Sequence, residues 1–394
     1  MNFAGLESNR EPYQSGFSLI ELMIALALGL FIMAAVIQLF IGSRQSYSTN
    51  EALARVQENG RFALEFIKPE IRGVITGRGF CAGEVAPRIH LDLSCDESMR
   101  SVFDSAGAIL GWESVGTGRT DEVDIPTNLS PLNVDADQWE SRRGSDQRPL
   151  PTPLRNRVVP NTDVLVIRQN EVLPVVVDEV MNDNRIRITS GGDQIPPQAI
   201  MMVVNCALGS DIFQGSRGSS GDLNKPSQSC NPSNGLPGNL PPGQSPWSHQ
   251  HDSSSTVLRH TSVAFYIGWN ADRGEPGLYR MDMTAGIADA DLVVEELVEG
   301  IENMQILYGF SRPTAQGGDG QSVDFWLTAS QVTDWGLVIA MRIALLARSQ
   351  SDAYTRPESF TFDLLETELT TPNDRRLRLP FTTTLALRNQ VVVQ

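Results

Sequence analysis

The sequence predicts an α+β protein in which a long N-terminal helix, apolar in its first half, packs on a β-rich globular head. Three observations carry this expectation. An apolar run extends from Phe17 to Ile41, a three-to-four-residue periodicity continues from it toward Pro69, and beyond Ile71 short β-rich runs between turn formers replace helical spacing.

Between Phe17 and Ile41 only Ser18, Glu21 and Gln38 are strongly polar. As a helix this run covers roughly 37 Å at about 1.5 Å per residue, more than a bilayer core of about 30 Å. An ionisable group inside such a span costs about 2.5 to 3.5 kcal/mol at its centre, while each Leu, Ile, Phe or Val returns about 0.3 to 0.6. The aliphatic residues therefore outweigh one Glu near the end. A charge kept there points to a partner of opposite sign. Cleavage after Gly16 would create one, because the new α-amino group of Phe17 would stand a few residues from Glu21, and in a bundle Glu21 could pair with a neighbour's terminus. No proline lies between Phe17 and Ile41, so this half is predicted unbroken.

In the second half Leu53, Val56, Ala63, Phe66 or Ile67 and Ile71 recur at helical spacing, with Arg44, Glu51, Arg55, Glu58 and Arg61 between them. One face can pack on the head. Pro69 lacks an amide donor and crowds the preceding turn, so the helix is predicted from about residue 17 to about residue 68.

Strands are predicted at Glu122–Ile125, Asp163–Arg168, Val172–Val180, Arg185–Thr189 and Ile200–Cys206. Asn182, Asp183 and Asn184 tolerate left-handed geometry, so the third and fourth of these form a hairpin turning near Asp183. From Gly209 to Ser255 the composition shifts to Gly, Ser, Pro, Asn and Gln, which predicts a long exposed loop whose middle Cys230 would pin back. Pattern returns at Val257–Trp269, Gly277–Met283, Leu292–Phe310, Leu337–Arg348 and Leu377–Val393. Within Val338–Arg348 the face Ile339, Met341, Ile343, Leu345 and Ala347 is the expected buried one.

With 394 residues, roughly 320 remain beyond the helix, enough for a sizeable core. A net charge of −16 argues against nucleic acid and anionic lipid as partners and describes a solvated surface. Cys81, Cys95, Cys206 and Cys230 form an even set outside the cytoplasm, which predicts two disulfides. Of three connectivities, closing short loops favours Cys81 with Cys95 and Cys206 with Cys230, each worth about 3 kcal/mol. None of the four sits in a C-x-x-C pair, so zinc spacing is absent.

His249, His251 and Asp252 form an H-x-H-D phrase with no further ligand identifiable in the sequence, and are read as a solvated polar loop. His260 is read as a strand residue. Asn133, Asp135, Asp137 and Glu140 echo a calcium loop, but Gln138 stands where the sharp turn wants Gly and the Glu comes too early. Asp289 with Asp291 and Glu295 with Glu296 are read as surface charge. G-x-S-x-G, P-loop and H-E-x-x-H motifs are absent, so no catalytic residue, metal or cofactor is expected.

The segment Gly16, Phe17, Ser18, Leu19, Ile20 and Glu21 resembles the prepilin signal of the type IV pilin and pseudopilin family: a Gly, an aromatic residue, then an apolar stretch with Glu five residues after the cut. The resemblance implies that prepilin peptidase cuts between Gly16 and Phe17, that Phe17 is N-methylated, and that Glu21 serves assembly as the helix passes from membrane to filament. One departure is Ser15 where the family usually carries Lys or Arg; the leader's one cation is Arg10, between Glu7 and Glu11. The alternatives are an uncleaved signal anchor and a secretory signal, for which the run is too long.

Three C-terminal phrases, E-L-V-E-G-I-E-N-M-Q-I-L-Y-G (Glu296–Gly309), V-I-A-M-R-I-A-L-L-A-R-S (Val338–Ser349) and T-T-T-L-A-L-R-N (Thr382–Asn389), resemble the PilW-like minor pilins, as does R-G-F-C-A at Arg78–Ala82; residues 96–255 stay largely outside the similarity. This implies a leader (1–16), a transmembrane and filament-core half (17–42), an amphipathic half (43–72) and a periplasmic head (73–394) with a flexible loop at about 209–255. It further implies a minor pilin that primes pilus assembly from the tip, where a bulky head fits better than in the repeating shaft. Twitching motility and cell adhesion are the associated activities. The implied partners are other minor pilins, the major pilin, prepilin peptidase, the inner-membrane assembly platform and a tip adhesin, with the chain in the inner membrane before assembly and in the pilus after it. The alternatives are a J-type minor pseudopilin of type II secretion and, in a different class, a membrane-anchored periplasmic enzyme or binding protein.

Overall fold

The computed structural model describes residues 16–72, 87–103, 109–131, 136–230, 237–284, 293–313 and 316–387. The chain forms two compact units, Met1–Glu51 and Ala52–Gln394.

Helix α1 (Leu19–Arg72) follows Gly16–Ser18 in the described part of the first unit and continues into the second. It starts two residues later than the apolar pattern suggests, because Ser18 caps it. The large apolar side chains from Leu19 to Ile41 are all exposed, and the helix is long and apolar enough to cross a membrane.

In the second unit α1 buries Ala52, Val56, Gly60, Ala63, Leu64, Ile67 and Ile71, the spacing of one helical face. Ile67 takes the core position and Phe66 stays 47 % exposed. Gly60 lets the helix approach strand β19 (Arg378–Ala386), since a Cβ there would lie 2.2 Å from the Phe381 ring. The helix runs through Pro69, contrary to the expected stop. At this position the proline forfeits one backbone bond, the one its own amide would give to the Glu65 carbonyl. The last turn is held from outside. Ile71 is buried, Gln169 Nε2 donates to the Glu70 carbonyl (3.1 Å) and carboxylate (2.5 Å), and Arg280 lies 3.4 Å from the same carboxylate.

The described strands of the first part of the head are β1 (Arg88–Ile89), β2 (Ile109–Ser114), β3 (Glu122–Asp124), β4 (Trp139–Arg143), β5 (Asp146–Arg148), β6 (Val164–Asn182), β7 (Arg185–Ser190), β8 (Ala199–Asn205), β9 (Gly209–Arg217) and β10 (Leu223–Asn224). After them come β11 (Thr256–Asn270), β12 (Glu275–Asp282), β13 (Val293–Glu299), β14 (Ile301–Phe310), β15 (Phe325–Leu327), β16 (Val338–Arg348), β17 (Thr361–Leu364), β18 (Thr367–Thr370) and β19. Strands β15-β14-β16-β19 form one sheet, β17-β18-β3 another, and the rest a twelve-stranded sheet.

The large sheet contains a closed ring. Strand β6 pairs with β7, β7 with β10, β10 with β9, β9 with β8, β8 with β11, and β11 with β6, all antiparallel. Closure leaves no free edge in the ring. Every ring strand contributes to a separate apolar cluster: Leu173, Val175 and Val177 from β6, Ile186 from β7, Met201 and Val203 from β8, Phe213 from β9, Leu223 from β10 and Val257 from β11, with Ile195 and Trp247 from the connections. Strands β6 and β11 continue out of the ring, where β2 pairs with the start of β6 and β12 with the end of β11 beside the main core.

Several expectations change here. The runs at Asp163–Arg168 and Val172–Val180 belong to the single strand β6, and the hairpin with β7 turns at Asp183 and Asn184 as predicted. The predicted run Leu292–Phe310 is, from Val293 on, two strands in different sheets, split at Gly300. That residue has φ +74°, and a Cβ on it would lie 2.8 Å from the Arg348 carbonyl oxygen. Strand β16 is buried on both faces apart from Arg342. Its second face is mostly Val338, Ala340, Ala344 and Leu346, and Arg348 is neutralised by Glu302 (2.9 Å) and Glu275 (2.7 Å). Arg378 of β19 joins this network through Glu302 (2.6 Å) and Asp374 (2.7 Å).

The predicted exposed loop at 209–255 is corrected most. Gly209–Arg217 is a strand buried over its first seven residues, Leu223 is in the ring core, and Trp247 is buried over it. A few apolar residues, rather than average composition, decide the structure of this stretch.

Candidate assembly segment and buried polar cluster

Gly16, Phe17 and Ser18 precede α1, and Phe17 is 88 % exposed. The Ser18 amide donates to Glu21 Oε2 at 3.1 Å, and the Leu22 amide donates to the Ser18 carbonyl at 3.1 Å. Ser18 is thus the N-cap and Glu21 the third helical residue, the acceptor half of a capping box. The S-x-x-E spacing of Ser18 and Glu21 was readable as such in the sequence. Glu21 consequently has a partner inside its own chain, at the helix end where a negative charge is favoured. A cut after Gly16 would leave the amino group one residue from this cap.

The disulfide in the described head joins Cys95 to Cys230, across 135 residues. This corrects the short-loop pairing of Cys81 with Cys95 and Cys206 with Cys230. Folding brings the Cα atoms of Cys95 and Cys230 to 5.9 Å, so chain separation does not decide the pairing. The Cys230 amide also donates to Asp92 Oδ2 at 3.0 Å, close to the bond. Cys206 is disulfide-bonded as well, and Cys81 lies outside the described residues.

The H-x-H-D phrase is solvated only in part: Asp252 is exposed as expected, but His251 is buried and His249 partly so. Asp211, from the buried strand β9, accepts from His90 Nε2 on Oδ1 (2.5 Å) and from His251 Nε2 on Oδ2 (2.7 Å). Ser248 adds its amide to Oδ1 (3.0 Å) and its hydroxyl to Oδ2 (2.6 Å). His90, Asp211 and His251 are at most 1 % exposed. Burial alone would raise the Asp211 pKa, but the bonds from His251, His90 and Ser248 outweigh it and hold the carboxyl well below its ordinary value.

Lys225 completes this cluster. Its Nζ donates to the Ser245 carbonyl at 2.7 Å, lies 3.1 Å from His90 Nδ1 and sits 4.3 Å from the Trp247 ring centroid. Burial lowers its pKa to about 8, and burial also lowers those of His90 and His249. Sequence reading missed Asp211, Lys225 and His90 because they are far from the H-x-H-D phrase along the chain. Only the closing of β9 against β1 and β8 brings them together.

His260 is in β11 as expected, with Nδ1 2.9 Å from Asn170 Oδ1. Of the calcium-loop echo, Asn133 and Asp135 lie outside the described residues, Asp137 is in a 3-10 turn and Glu140 in β4. Asp289 and Asp291 are also outside them, and Glu296 is paired with Arg273.

Two family models match the chain. One, described as "Prokaryotic N-terminal methylation motif", covers residues 12–37 and so includes Gly16, Phe17 and Glu21. The other, "Type IV Pilus-assembly protein W", covers residues 264–389, from the second half of β11 through β19. No curated protein and no solved structure matches the chain. The chain is thus similar to type IV pilus proteins in two places, an N-methylation segment that opens an exposed apolar helix and a pilus-assembly match over the C-terminal third.

Proposed function

We propose that the chain is a minor pilin, cut by prepilin peptidase between Gly16 and Phe17, that joins other minor pilins to prime assembly of a type IV pilus and ends at its tip. The observation that carries this reading is the pairing of an N-methylation segment with a large, separately cored head on one helix. Residues 17–42 cross the inner membrane before assembly and enter the filament core after it, and the head from about residue 73 faces the periplasm. The major pilin and the assembly platform are further partners, and a tip adhesin is the cargo of such a complex. The chain acts by packing, without catalysis.

Glu21 would change partner on assembly, from its own Ser18 amide to the α-amino group of a neighbouring Phe17. In a dry bundle an unpaired Glu21 would be strongly unfavourable, so the charge pair is what lets the helix enter the filament with its carboxylate ionised. Deleting the gene should abolish surface pili and twitching, and Glu21→Ala should insert in the membrane yet restore few pili. Normal piliation by Glu21→Ala would refute the pairing. Intact pili with exoproteins retained in the cell would instead favour a J-type pseudopilin of type II secretion.

A further inference from the structure

We propose that Asp211, His249 and His251 form a zinc-binding site in the head. Their ligand atoms all lie within 4.8 Å of one another, and the three come from strand β9 and the segment that folds back over it. The chain has four histidines, and three of them, His90, His249 and His251, gather around one buried carboxylate. Two imidazoles and a carboxylate are a borderline donor set suited to zinc.

The hydrogen bonds around the three residues leave a ligand position on each. The single Ser248 hydroxyl proton is given to Asp211 Oδ2 (2.6 Å), so at the 2.9 Å contact between Ser248 Oγ and His249 Nδ1 the ring must donate. His249 Nε2 then carries a bare lone pair, and that nitrogen is buried with no hydrogen-bond partner among the described residues. A Lewis acid would satisfy it.

His251 presents Nε2 to Asp211 and has Nδ1 3.2 Å from Ser255 Oγ. On binding, its proton moves from Nε2 to Nδ1, where Ser255 Oγ accepts it, so no net proton is released at that ring. Asp211 keeps Oδ1 on His90 and the Ser248 amide while Oδ2 turns to the metal. Each ligand therefore has its other polar atom held by a second group, the arrangement that orients metal ligands. Ligand atoms around tetrahedral zinc stand about 3.3 Å apart. The closing movement falls to His249, which is only partly buried and lies in a connection, whereas Asp211 and His251 are fixed. A fourth position remains for water.

The test is titration of the full-length chain, purified in detergent with a histidine-free tag and stripped with a chelator, with zinc against a chromophoric competitor and with cobalt read by its d–d absorption. The proposal expects one equivalent per chain, cobalt bands of low coordination number, and at least tenfold weaker binding in His249→Ala and His251→Asn. His249→Ala changes a partly exposed ring and keeps the test valid if His251→Asn fails to fold. No stoichiometric uptake, or uptake that His249→Ala leaves unchanged, would overturn the proposal.

Discussion

At the scale of single residues, the head holds two buried groups whose titration acts in opposite directions. His260 is neutral in β11; burial, reinforced by Arg168, takes its pKa from 6.5 to about 3. The unfolded chain therefore gains a proton below about pH 6.5 that the folded chain refuses, and stability falls as pH drops toward 3, by at most about 1.4 kcal/mol per unit. Asp163 is the reverse. Burial and the nearby Glu113 raise its pKa well above 3.8, against the amides of Ile306 and Ser114 that donate to it. The folded chain keeps a proton that the unfolded chain releases, so this contribution is lost as pH rises above about 3.8. Denaturant titrations between pH 4 and 6.5 should show the advantage of wild type over His260→Gln shrinking as pH falls, and any advantage over Asp163→Asn shrinking as pH rises. Differences that do not vary with pH would contradict both assignments.

At the scale of elements, the second half of α1 is held by a narrow face. Ile67 is fully buried while its neighbour Phe66 is 47 % exposed. Ile67→Ala should cost the head about 2 to 5 kcal/mol and Phe66→Ala less than about 1, measured by denaturant midpoint. Equal losses would mean the helix packs on its other face. The Cys95–Cys230 bond closes a far longer loop than the pairing suggested by chain separation, and loop entropy gives it about 5 kcal/mol. Non-reducing peptide mapping should recover Cys95 linked to Cys230, and a Cys81–Cys95 peptide would contradict the fold around β9.

At the scale of the whole molecule, what was legible in the sequence is what local chemistry decides. The apolar run, the helical face through Val56, Ala63, Ile67 and Ile71, and the Asn-Asp-Asn hairpin each depend on residues a few positions apart. The six-strand ring was not legible, because two of its strands, β9 and β10, are hidden in a Gly- and Ser-rich stretch where Ile212, Phe213, Leu223 and Trp247 carry the burial. The polar cluster was half visible. His249 and His251 announce themselves by spacing, but Asp211 and His90 join them only after the ring closes.

The central claim, that this chain is a processed filament subunit, concerns the N-terminal segment and is decided there. Intact mass of the chain from membranes of cells with and without prepilin peptidase reports the cut, the methyl group and the oxidised cysteines together. A chain that begins at methylated Phe17, seen only when the peptidase is present, is the predicted result. An uncut chain in both strains would leave Glu21 capping its own helix and make the protein a membrane-anchored head instead of a pilin.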